Sequence, residues 1–158
     1  MCLESAACET KDSTGNYVVT GITEGTLKIT PVAIKIKADD KTKVYDNDAA
    51  TDPTLTASVT GVPASGVTPV YSLSREAGQD VDEYAITVTA EATSNPNYTV
   101  SVEGGTFTIT PAAITIKADN KTKVYDNDAA TDPELTATVT GVPTNGVAPV
   151  YSLSRAEG

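Results

Sequence analysis

The sequence predicts an all-β protein, built from tandem two-layer sandwiches of about 80 residues each. Three observations carry this expectation. Apolar side chains alternate with polar ones in short runs, the period of a half-buried strand, and no window sustains a 3.6-residue apolar stripe. The runs are separated by clusters of Pro, Gly, Asn and Asp, which break strands and build turns. The stretch KTKVYDNDAATDP occurs twice, at Lys41–Pro53 and at Lys121–Pro133, so the chain carries an internal repeat.

Taken in order, the first strand is Ala33–Ala38, AIKIKA, with Ile34 and Ile36 on one face and Lys35 and Lys37 on the other. Thr42–Tyr45 is the second. Leu55–Val59 sets Leu, Ala and Val against Thr and Ser and is the third. Val70–Ser74 is the fourth. Tyr84–Ala90, YAITVTA, turns Tyr84, Ile86 and Val88 inward. Tyr98–Val102 and Thr106–Thr110 place Tyr98, Val100, Val102, Phe107 and Ile109 on the buried side. Between these two, the EGG of Glu103–Gly105 reads as a hairpin turn. Seven strands in one repeat pack most simply as an immunoglobulin-like sandwich, and DVDEY at Asp80–Tyr84 stands where such folds place a tyrosine corner. The alternative is a β-grasp-like two-layer fold with a short helix around Asp48–Leu55.

The repeat extends well beyond the opening stretch. Ala33–Arg75 aligns without a gap on Ala113–Arg155, and only positions 35, 40, 54, 58, 64, 65 and 68 differ from their partners. GTLKITP at Gly25–Pro31 matches GTFTITP at Gly105–Pro111, and NYVV at Asn16–Val19 matches NYTV at Asn97–Val100. Phased at the Pro boundaries, residues 1–31 are the C-terminal part of one repeat, 32–111 a complete repeat and 112–158 the N-terminal part of another. The alternative phasing is 1–78 and 79–158. Pro31 and Pro111 fall between strand-like runs, so the linker is almost zero residues long and neighbouring units should be stiffly joined. The two partial repeats expose unpaired edges, which makes head-to-tail self-association an expected consequence.

Composition narrows the function classes. The 158 residues carry 21 acidic and 11 basic side chains, a formal net charge of -10, which repels nucleic acid and anionic membrane surfaces. There is no His, the side chain that most readily moves protons near neutral pH, and this argues against an enzyme. No run of roughly twenty apolar residues exists to insert in a membrane. Cys2 and Cys8 have no zinc or redox spacing, and paired they would close only a small loop. An export signal and a cell anchor are expected outside this sequence. No cofactor is expected.

Two candidate sites emerge, and each has a plainer reading beside it. Asp46, Asp48 and Asp52, with their counterparts Asp126, Asp128 and Asp132, concentrate the oxygen ligands that calcium takes. The spacing lacks the Gly and the final Glu of an EF-hand loop, and the plainer reading is turn chemistry. Tyr45 and Tyr125 are candidates to stack on a sugar; the plainer reading is core, with the hydroxyl at the rim. Asn97-Tyr98-Thr99 and Asn120-Lys121-Thr122 fit the N-glycosylation pattern, which is common by chance.

Taken together, AITIKADNKTKVYDNDAATDPELTATVTG, YSLSREAGQDVDEYAI and NYTVSVEGGTFTITP resemble the MBG repeats of large bacterial surface proteins. The resemblance runs from Asn16 onward. It implies an exported, repetitive cell-surface protein associated with adhesion and mucin binding, and it supplies no catalytic residues. The chain departs from the family where Gly commonly follows the first Tyr, here Asn47 and Ala49, and where Gly precedes the second, here Asp82 and Glu83. The expected function is a stiff stalk or spacer in a bacterial surface adhesin, its partners the adjacent repeats. The alternative is direct binding of mucin or another host glycan.

Overall fold

The computed structural model describes residues 15–17, 20–21 and 23–156. Contacts divide the chain into two units, Met1–Thr30 and Pro31–Gly158. The described residues of the first unit form no strand, and Tyr17, Leu27 and Ile29 are exposed there. Cys2 and Cys8 lie outside the described residues.

The second unit opens with seven strands: β1 Val32–Ala38, β2 Lys41–Val44, β3 Ala57–Thr60, β4 Ser72–Arg75, β5 Glu83–Thr89, β6 Tyr98–Glu103 and β7 Gly105–Thr110. They make two sheets, β3-β1-β6 and β2-β7-β5-β4, packed face to face. The protein is all-β, with no α-helix among the described residues. Where the alternative fold would place its short helix there is a single 3-10 turn, Ala49–Thr51.

The alternation read from sequence sets the core. Ile34, Ile36 and Ala38 of β1 face Tyr84, Ile86 and Val88 of β5 and Phe107 and Ile109 of β7, all buried. Ile36, Ile86, Phe107 and Ile109 are buried almost completely, each contributing about 1.5–3 kcal/mol by leaving water. The tyrosine corner is present. The Tyr84 hydroxyl donates to Asp80 O at 3.0 Å, and a Cβ on Gly78 would fall 2.1 Å from the Tyr84 ring, so only glycine lets the corner close.

One expectation is corrected. Glu103–Gly105 is not a hairpin turn, because β6 and β7 belong to different sheets. β6 runs parallel to β1 in the first sheet, and β7 runs parallel to β2 in the second. The run β1–β2 and the run β6–β7 therefore each leave the first sheet and enter the second, and they make the crossing side by side. The glycines serve close approach: a Cβ on Gly104 would meet Ile86 O at 2.8 Å, and one on Gly105 would meet Ala38 O at 2.9 Å. Asp40 pins the crossing by accepting from Thr106 N at 2.8 Å. Val102, expected to be buried, is 52% exposed. It sits on an edge strand just before the crossing, where the second sheet no longer covers it.

Beyond β7 lie β8 Thr115–Ala118 and β9 Ala137–Thr140. They pair antiparallel with the register of β1 on β3 shifted by 80, Ile116 opposite Val139 as Ile36 is opposite Val59. β8 has four residues where β1 has seven. The difference follows from pairing: β6 holds β1 from Val32 onward, and β8 has no such neighbour among the described residues.

Candidate functional site

The acidic loop after β2 is organised around a lysine. Tyr45 continues β2, donating its N–H to Thr110 O at 2.8 Å. The chain then turns at Asn47, whose φ of 54° lies in the left-handed region that glycine and asparagine enter most readily. Asp48 caps the 3-10 turn, its side chain accepting from Ala50 N at 2.9 Å.

Five oxygens surround the Lys43 ammonium. They are Asp46 Oδ1 at 2.6 Å, Asp48 O at 2.7 Å, Thr51 Oγ1 at 2.9 Å, Asp52 Oδ1 at 3.0 Å and Gln79 Oε1 at 3.2 Å. The Lys43 side chain is only 7% exposed. Arg75 holds the other Asp52 oxygen, with Nε at 3.0 Å and a terminal nitrogen at 2.5 Å, and lies over the Phe107 ring at 4.6 Å from its centroid. Two carboxylates therefore balance two cations in a half-buried network that ties the loop to β4 and to the core.

The titration of these groups follows from the contacts. Asp46 is held down to about 2 by the Lys43 ammonium and the Thr51 hydroxyl. Burial pushes Asp52 up, but Arg75, Lys43 and Gln79 outweigh it and leave the carboxyl below its usual range. Burial likewise pushes Lys43 down, yet Asp46 and Asp52 together raise it above an ordinary lysine. Lys43 is thus a fixed cation.

Of the six aspartates read as calcium candidates, Asp46 and Asp52 contact the ammonium directly, and Asp48 contributes its carbonyl while its side chain caps the turn. Asp126, Asp128 and Asp132 repeat the arrangement around Lys123, with Asp126 Oδ1 at 2.8 Å and Asp132 Oδ1 at 2.9 Å. Among the described residues no group of three or more acidic, His or Cys side chains is arranged to hold a metal. Lys43 itself was not singled out from sequence. Its signal was the spacing Lys-x-x-Asp, a positive charge three residues before the first loop carboxylate.

The two candidate sugar-stacking tyrosines differ. Tyr45 packs against the core, and its hydroxyl accepts from Val147 N at 3.1 Å. Beside it, Asn47 Nδ2 donates to Asn145 O at 2.8 Å and Asn145 Nδ2 donates to Asp48 Oδ2 at 3.1 Å. Tyr45, Pro111, Ile114, Pro143 and Val147 line a cavity of about 230 Å³ at this junction. Tyr125 is 86% exposed. The junction loop is also where the copies diverge, since positions 64, 65 and 68 all differ from 144, 145 and 148.

Residues 34–108 match the family model described as the MBG domain of the YGX type. Comparison with curated proteins and with solved structures returned no match.

Proposed function

Starting from a chain whose residues 34–108 belong to the MBG family, we propose that it is a non-enzymatic module of a bacterial cell-surface adhesin, acting as a stiff stalk or spacer. MBG domains occur in surface-associated bacterial proteins, which supports an extracellular location for the module. In this reading one unit runs over 32–111, and residues 1–31 and 112–158 contribute parts of its neighbours.

The observation that supports the stalk is the joint. Only Pro111–Ile114 separate β7 from β8, and the junction is held by the hydrogen bonds from Asn47, Asn145 and Val147. A joint with so few free residues and three cross-bonds transmits orientation and resists bending. Tyr45, the first sugar-stacking candidate, is engaged in that joint.

The glycan reading retains one favourable observation, the exposed Tyr125 with Val124 beside it at 89% exposure. Titrating the chain and its Tyr125→Ala variant onto immobilised mucin separates the two. The stalk reading expects no saturable binding by either protein. Saturable binding by the parent that is lost in the variant would replace the stalk with a glycan-binding module.

A further inference from the structure

We propose that this chain associates head to tail, the segment Gly25–Thr30 of one copy adding as a parallel strand along Lys121–Val124 of a second copy. The template is inside the chain. β2 and β7 pair in parallel with Lys41 opposite Phe107 and Lys43 opposite Ile109. Lys121–Val124 is identical to β2, and Gly25–Thr30 is the counterpart of β7, GTLKIT for GTFTIT. Neither segment is in a strand among the described residues. Carried over, the register sets Lys121 opposite Leu27 and Lys123 opposite Ile29.

Both surfaces expose the apolar groups that the template buries. Leu27 and Ile29 are 81% and 87% exposed, where Phe107 and Ile109 are 0% and 1%. On the receiving side Ile114 and Ile116 are each 39% exposed, where Ile34 and Ile36 are 3% and 0%. The receiving loop already has its final shape: Asn127 repeats the φ of 54° seen at Asn47, and Lys123 holds Asp126 and Asp132 as Lys43 holds Asp46 and Asp52. The site is preorganised, so little ordering cost falls on the receiver. Main-chain pairing supplies affinity and the alternate apolar side chains supply register, the logic of strand addition. The operation is heterologous, so it propagates into filaments or closes into rings.

The association uses the same end-to-end strand joining as the stalk reading but does not depend on it. Saturable mucin binding would end the stalk reading and leave this association untouched. The test is sedimentation velocity of the whole chain across a concentration series. The mean mass of the parent should grow with concentration. Leu27→Asp, which spoils the donor, and Ile116→Asp, which spoils the receiver, should each stay monomeric alone. Mixed in equal amounts they should form a dimer and stop there, because the mixture holds one intact donor and one intact receiver per pair. Leu27→Phe, which copies Phe107, should move the transition to lower concentration. This last variant keeps the test valid if Ile116→Asp damages the β8–β9 pair. A parent that stays monomeric throughout overturns the proposal, as does Leu27→Asp associating like the parent or a mixture that remains monomeric.

Discussion

Lys43 Nζ and Asp46 Oδ1 meet at 2.6 Å, and the lysine side chain that makes this contact is 7% exposed. A loop with the oxygen donors of a cation site is thus filled by a cation from its own strand. Removing one partner of such a pair leaves the opposite charge uncompensated, which is costlier than never having had the pair. Lys43→Met should destabilise the domain by about 1–3 kcal/mol in urea denaturation, less than for a fully buried pair because Arg75 still holds Asp52 and Asp46 is 30% exposed. The matching change at Lys123, whose side chain is 23% exposed, should cost much less. The same logic sets the calcium response. Millimolar calcium should leave the melting midpoint of the parent unchanged and raise that of Lys43→Met, where the five oxygens no longer have an ammonium. A midpoint of the parent that climbs with calcium would mean that a divalent ion displaces the lysine.

The acid limit of stability follows from two depressed carboxyls. Asp46 is lowered from 3.8 to about 2 by Lys43 and Thr51, and Glu103 from 4.5 to about 2 by Lys35 and Lys37. Folding favours the ionised forms, so their contribution is complete above the unfolded values and drains away as pH falls through 4.5 toward 2. Lys43 is shifted upward, so its share is present below 10.5 and is lost as pH rises past its raised value. With no His in the chain, the melting midpoint should be level from about pH 5 to 8 and drop steeply below 4. Glu103→Gln should make the acid limb shallower. A midpoint that holds steady down to pH 2 would show that neither ion pair stabilises the fold.

What could be read from sequence was what depends on neighbours along the chain. All seven strands of the first copy were located from sequence, five of them with their inward side chains by alternation, because the side-chain period is a local property. Asp80–Tyr84 gave the tyrosine corner for the same reason: its hydrogen bond spans four residues. Pairing was not legible. EGG promises a turn when glycine's backbone freedom is considered, and here glycine is needed for the missing Cβ where two strands cross. The Lys43 network joins residues 36 positions apart, and Gln79 carries no mark of it in sequence. The Tyr45 junction joins residues 102 apart.

Asn95 is the residue that sequence concealed most completely. It is 3% exposed, and its side chain behaves as a length of strand backbone. Oδ1 accepts from Val70 N at 2.8 Å, while Nδ2 donates to Val70 O at 2.8 Å and to Glu91 O at 3.0 Å. One amide thereby pairs both main-chain groups of Val70 just before β4, where no neighbouring strand reaches. Asn95→Ala removes all three bonds and empties the space of a side chain that is 3% exposed, and the cost should be about 1–3 kcal/mol. Asn95→Asp is nearly the same size, but it turns acceptor oxygens toward two carbonyls and buries a charge, so it should destabilise more than alanine above pH 5 and recover in part on acidification. Hydrogen exchange at Val70 reports the contact directly: its amide should be protected in the parent and exchange freely in Asn95→Ala, which removes the accepting oxygen. Protection that survives Asn95→Ala would show that Val70 is held by something other than this side chain.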